Sequence, residues 1–551
     1  MTTTAATGHA VAARVRGMSR RTAIILGAVG SLVMALTSHA VGATRTRGGV
    51  LQSLGLANLG FGHVAGILVV VLWLGVLALV VSWVVLGGRL LRRGEPLGVA
   101  PLVAWTAPLL LAGPLMSRDV YSYLMQGTLS HEGFDPYEVG ASAVPGRVFF
   151  EVSPDWRNTT TPYGPLHMWI GEGVVSVTGD NVTAGVIVYK ILSLACFAGL
   201  VWAVARLAAA VKVNVSLAVW LGVANPLSVI HLVGGMHNEV TMMLLVCAGL
   251  LAALRLPVVR GAALGAVLIG AGIALKATAA IALPFLVWIL VARYAGPLGE
   301  DAPVRRPVKE VVADVRQGTL RRAVALVVGG VGCLALSVGT LALVTVASGQ
   351  SWGWVSEVSG NSKVINPLAV PSLITSVLVR PIGAVDENIF FNDIIDVVRP
   401  VSTVVMALIL VVAWVVWRRS VKEAFVGATV AYMATCLFNT VVLPWYYMAP
   451  LALVGLWIRD RRAVFAVAWL AMVLSMTFDG SGNNRLYNLP WLILVGLVMW
   501  WLARTCLRQE DTAAESAEES AEESADGHGL GAAHDLAGEV SVEGVDGASR
   551  Q

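Results

Sequence analysis

The sequence predicts an all-α, polytopic integral membrane protein with about fourteen transmembrane helices, and three observations carry that expectation. Of its 551 residues, 57% are apolar and 13% charged, against roughly 45–50% and about 25% in soluble domains. The apolar residues gather in blocks of roughly 16–30, lengths that suit a hydrocarbon core about 30 Å thick. The period-two alternation of a membrane β-barrel is missing.

Short clusters of Lys and Arg separate the blocks, and the bias of such clusters toward cytoplasmic loops sets the topology. Spans are expected at 22–43, 64–86, 97–116, 183–205, 215–233, 240–255, 261–275, 277–293, 322–347, 397–417, 423–442, 446–458, 463–478 and 489–505. Arg89, Arg92 and Arg93, Arg206 and Lys212, Arg255 and Arg260, Arg293 through Arg322, Arg418 through Lys422 and Arg459 through Arg462 then fall on the cytoplasmic side with both termini. The apolar stretch 261–293 has basic clusters at both ends, so a break near Lys276 is needed to keep them on one side. Residues 365–379 are apolar too, and read as a re-entrant or interfacial helix.

The formal net charge of +4 divides unevenly: residues 509–551 carry −11 and the rest +15. Three parts follow: a cytoplasmic segment 1–21, a membrane domain 22–505 and an acidic tail 506–551 too polar to fold. The first apolar block has no clear cleavage site, and reads as a retained helix rather than a signal peptide. Five cysteines without a CxxC pair support neither a zinc site nor a disulfide framework. The dispersed basic clusters argue against nucleic acid, and the lack of a Walker A or GxGxxG motif argues against a nucleotide.

Polar, aromatic and Gly/Pro residues concentrate in the loops assigned outside, above all in 117–182. An enzyme working there needs a donor that crosses the membrane, and a lipid phosphate meets that need. Asp119 stands at the outer end of the third block, where a carboxylate could act as general base on an acceptor hydroxyl. Asp is also a favoured N-cap, so capping is the competing role.

The run Ser117-Arg118-Asp119-Val120-Tyr121-Ser122-Tyr123, then Gly133-Phe134-Asp135-Pro136-Tyr137 and Tyr163-Gly164-Pro165, resembles the GT-C polytopic glycosyltransferases. The likeness is greatest to the actinobacterial polyprenol-phosphomannose-dependent α(1→6)-mannosyltransferases of lipomannan synthesis. Asn225-Pro226, Gly234 through Glu239, Leu275-Lys276-Ala277 and Pro444-Trp445-Tyr446 match in the same order, over roughly residues 20–505. The resemblance implies a GT-C fold, an extracytoplasmic active site, a polyprenyl-phosphate-mannose donor, a glycolipid or lipomannan acceptor and no nucleotide. It places the catalytic acid at Asp119. The family often has Asp where this chain has Glu239, which leaves a charge role intact and makes a divalent cation less certain.

Substrate-binding roles are expected for Arg118, Tyr121, Tyr123, Asp135, Tyr137, Tyr163, His237, Asn238, Glu239, Lys276, Trp445, Tyr446 and Arg485. Asp135 precedes Pro136, which favours loop shaping. His237 and Glu239 could bind sugar hydroxyls or a cation, or only satisfy helix ends. Lys276, a charge at an apolar helix break, and Arg485 are the candidates for the lipid phosphate. Trp445 and Tyr446 could stack on sugar or anchor at the interface. The rival class is a secondary transporter or lipid flippase, which would place its charges near the midplane, often in two similar halves.

Overall fold

The computed structural model describes residues 2–296, 308–360 and 365–508, with side chains described from residue 10 and outside 308–318 and 358–360. The acidic tail beyond Arg508 and part of the basic segment 293–322 lie outside the described residues. Among those residues the chain is helical without strands, and nine helices are long and apolar enough to cross a membrane, or ten if one bent pair counts as a span.

Local chemistry sets several boundaries near the expected ones. Ser19 accepts from Thr22 N at 3.1 Å and starts the Arg20–Val41 helix. Asn181 does the same for Val182–Ala210 through Ala184 N. Each side-chain oxygen satisfies one of the amides that a helix start leaves without a partner. The Gly62–Arg93 helix stops at Gly94, whose left-handed φ of 67° glycine adopts freely.

The count falls short of fourteen where apolar blocks fold as short helices, two of them broken at proline. The block 97–116 forms only a helix Ala100–Thr106 and a 3₁₀ turn Pro108–Leu111, and then runs extended past Pro114. The block 215–233 breaks at Asn225-Pro226 into a helix Val215–Gly222 and a π-helical turn Ser228–Gly234. Asn225 bridges that break: its amide donates to Leu221 O and Gly222 O, and its carbonyl accepts from Ser228. The blocks 446–458 and 463–478 become the short helices Met448–Val454 and Arg461–Leu474. Proline lacks the amide proton a helix interior needs, so in the blocks 97–116 and 215–233 composition overstates the length of the helix. The segment read as re-entrant is a helix, Val370–Gly383, too short to be counted as a span.

Arg20–Val41 packs along Gly62–Arg93, and Glu239–Arg255 lies between Val182–Ala210 and Val258–Leu275. Trp83 and Trp220 stack with centroids 4.6 Å apart, each indole N–H donating to the other's backbone carbonyl. By contrast, Phe391–Val416 leaves Val397, Val401, Val404, Leu408 and Val411 exposed, an outer wall suited to lipid. Near one end of the bundle the Asp119–His131 and Pro165–Thr178 helices cross at Gly127 and Gly171. A Cβ on Gly127 would lie 2.3 Å from the Gly171 carbonyl carbon, so only glycine allows this approach.

Candidate active site

Asp119 is the first residue of its helix, and its amide N–H donates to Ser117 Oγ at 3.1 Å. The N-cap position belongs to Arg118, which makes no side-chain cap. The Asp119 carboxylate instead stands 3.3 Å from His237 Nδ1, with Asp119 partly exposed and His237 wholly buried. A backbone elbow brings His237 there: the π-helical turn ends at Gly234, Met236 takes a φ of 60°, and the axis bends by 109° before Glu239–Arg255 begins. Trp445 stacks on the His237 ring, centroids 3.6 Å apart and planes 16° from parallel, which fixes the imidazole plane.

Lys276 occupies the break between Val258–Leu275 and the 3₁₀ turn Ala277–Ala282, in extended backbone. Its ammonium pairs with Glu239 Oε1 and lies 3.8 Å from the centroid of Tyr446 and 5.6 Å from that of Tyr163. Both members of the ion pair are buried, where an unpaired charge would be costly. The Tyr163-Gly164-Pro165 turn docks on the break: Gly164 N–H donates to Leu275 O at 3.1 Å. A Cβ at Gly164 would sit 2.4 Å from Ala274 O, so this contact also requires glycine.

Tyr123 meets Tyr163 and His167 edge-on, at 5.6 and 4.6 Å between centroids. His167 Nδ1 and Asn238 Nδ2 are 3.3 Å apart, which makes Nδ1 the acceptor and joins this aromatic group to the elbow. Burial, with the Lys276 charge nearby, holds the His167 imidazole well below its ordinary pKa.

Two adjoining cavities share Tyr446. One is lined by Asp119, Ser122, Tyr123, Gln126, Trp156, Thr159 to Thr161 and Tyr163. The other is lined by Glu239, Lys276, Thr278, Thr435 and Asn439. The expected residues thus converge around Asp119, Tyr123, Tyr163, His237, Asn238, Glu239, Lys276, Trp445 and Tyr446.

The rest lie apart from these cavities. Arg118 donates to Thr44 O and to the backbone and carboxylate of buried Glu151. The Tyr121 hydroxyl donates to Ala43 O. Asp135 Oδ1 accepts from Tyr137 N at 2.8 Å, the loop-shaping role, and Tyr137 packs against Gly353. Arg485 pairs with Asp479 at 2.9 Å, and their loop rests on the residues before Asp119 through Met116 N–H to Gly480 O.

The sequence reading missed His167 and Glu151. His167 follows Gly164 by one helical turn, a signal present in the chain. Glu151 gave none, because only the fold brings it to the amides of Thr46 and Arg47 and to the guanidinium groups of Arg45 and Arg118. Among the described residues no three His, Cys, Asp or Glu side chains converge as a metal site. The two central carboxylates face His237 and Lys276.

Fold and site together define a polytopic membrane protein with an acid, a buried cation and an aromatic wall gathered at helix breaks. Residues 24–292 match the family described as alpha-(1->6)-mannopyranosyltransferase, N-terminal domain, and residues 385–508 match MptB C-terminal domain. Alpha-(1->6)-mannopyranosyltransferase A of Corynebacterium glutamicum is 45% identical over 482 residues, which are 85% of this chain and 95% of that protein. The protein of the same name from Mycobacterium tuberculosis is 34% identical over 87% of both chains. Alpha-(1->6)-mannopyranosyltransferase B of Corynebacterium glutamicum is 28% identical over 68% of this chain and 61% of that one. No solved structure matches. The chain belongs to the α-(1→6)-mannopyranosyltransferase family and is a membrane mannosyltransferase.

Proposed function

We propose that the chain transfers mannose in α(1→6) linkage, with inversion, from a polyprenyl-phosphate-mannose donor to a mannosylated glycolipid or lipomannan precursor on the extracytoplasmic face of the cell membrane. The observation that carries this is the pair of cavities meeting at Tyr446, one holding Asp119 and the other Lys276. A transferase that joins two lipid-linked substrates needs a base on the acceptor side and a cation on the donor side.

In this reading the acceptor hydroxyl enters beside Asp119, and its oxygen attacks the anomeric carbon as the bond to the phosphate oxygen breaks. Asp119 takes the hydroxyl proton, and the electrons of the broken bond leave with the lipid phosphate. His237, held flat by Trp445, keeps the carboxylate in place. The phosphate is a weak base and needs charge more than a proton, and Lys276 supplies that charge from a site of low dielectric. Glu239 holds Lys276 ready until the phosphate arrives. Tyr163 and Tyr123 offer ring faces and hydroxyls for sugar.

Purified protein in lipid vesicles, given labelled polyprenyl-phosphomannose and a mannosylated lipid acceptor, should yield a new labelled glycolipid. Movement of the donor lipid across the vesicle without any new glycolipid would favour the flippase and overturn the proposal.

A further inference from the structure

Another ionisable side chain lies buried among the helices, outside both cavities. Lys190 sits in the first third of the Val182–Ala210 helix and is 2% exposed. Its Nζ donates to Gly234 O at 2.8 Å and to Val233 O at 3.2 Å. No carboxylate stands within ion-pair distance of it among the described residues. An ionisable group on a membrane helix is costly, and its position therefore asks for a function.

The two carbonyls belong to the end of the π-helical turn, where the chain leaves helical geometry just before His237. Such a terminus leaves carbonyls without intrahelical partners. Gly234 O accepts a second bond, from Leu115 N at 3.2 Å. Leu115 belongs to the non-helical segment that runs through Ser117 into Asp119. One carbonyl thus ties together the elbow that presents His237 and the segment that presents Asp119, and Lys190 holds that carbonyl from the third side. Lys190 lines neither the Asp119 cavity nor the Lys276 cavity, so it acts through these segments.

We infer that Lys190 is a positioning residue for mannosyl transfer, whose Nζ donors clamp the Val233 and Gly234 carbonyls and thereby set the Asp119 to His237 geometry. This rests on the proposed role of Asp119 as base. Misplacing a reacting group by about 1 Å can cost on the order of a hundredfold in rate.

The test compares wild type, Lys190→Met, His237→Ala, the double variant and Asp119→Asn, all in vesicles with labelled polyprenyl-phosphomannose and a mannosylated lipid acceptor. Lys190→Met should lower kcat by roughly ten- to a hundredfold with donor KM and donor binding near wild type. Combined with His237→Ala it should lower kcat little beyond His237→Ala alone, because both changes spoil one relation. Should Lys190→Met not accumulate in membranes, Lys190→Gln, which keeps an N–H donor on a shorter arm, carries the same comparison. An unchanged kcat, a rise in donor KM at constant kcat, or losses that multiply in the double variant would each overturn the inference. Asp119→Asn separates the two levels: if it is inactive while Lys190→Met is normal, only the clamp fails. If Asp119→Asn keeps full turnover, the reading of the site itself fails.

Discussion

His237 stands between two different surfaces, the Asp119 carboxylate at 3.3 Å and the Trp445 ring at 3.6 Å. On this geometry His237→Ala should reduce turnover by at least about tenfold, as a reacting carboxylate set loose would, with donor affinity nearly unchanged. Steady-state kinetics checks that split. Lys276→Ala should show the opposite, with weakened donor binding, because the phosphate carries its charge in the ground state as well as the transition state; equilibrium binding of labelled donor lipid reads it. His167 adds a pH dependence. Its folded-state pKa is depressed by burial, so below the ordinary imidazole value the unfolded chain binds a proton that the folded chain does not. Stability should fall as pH drops through about 6.5, and His167→Gln should flatten that fall in thermal unfolding of detergent-solubilised protein. The sequence exposed these residues unevenly. Asp119, Lys276 and Tyr446 stood out as polar or aromatic groups beside apolar blocks. The buried position of Trp445 against His237 did not, because it depends on two breaks more than two hundred residues apart.

The breaks between helices do the placing at this site. The elbow at Gly234 to Met236 and the extended backbone at Lys276 each leave the helical path where a site residue is presented. The break at Lys276 was legible from charge parity, since basic clusters flank both ends of 261–293. Neither the π-helical turn nor the 109° bend was, because periodicity reports which face is apolar and not how sharply an axis turns. Gly164→Ala tests how tightly these parts fit. Its added Cβ meets Ala274 O at 2.4 Å, so the Tyr163 turn must withdraw from the Lys276 break. Activity should drop while the helices stay inserted. Normal transfer by this variant, measured in membranes with protein levels matched by blot, would show that the docking is slack.

Over the described residues the all-α membrane architecture was legible in composition and block length, whereas the number of spans was not, because several apolar blocks fold as short helices. The proposed orientation predicts that in intact cells a membrane-impermeant thiol reagent labels Arg485→Cys and spares Asp460→Cys. The five native cysteines are buried and should give little background. The reverse pattern would turn the site toward the cytoplasm. Removing residues 510–551, which carry none of the site residues, should leave transfer within a few-fold, read with the same lipid substrates. The proposed mechanism has this bundle hold the Asp119 carboxylate beside the acceptor cavity to remove a proton during mannosyl transfer. Turnover of Asp119→Asn at saturating donor, in vesicles of purified protein, tests it most directly. The variant keeps the size and much of the hydrogen bonding of Asp119 but cannot act as a base near neutral pH. Turnover should fall by at least about a hundredfold, the usual scale for a lost general base, with donor lipid still bound. Near-normal turnover would contradict the account and pass the role of base to Glu239 or Asp135.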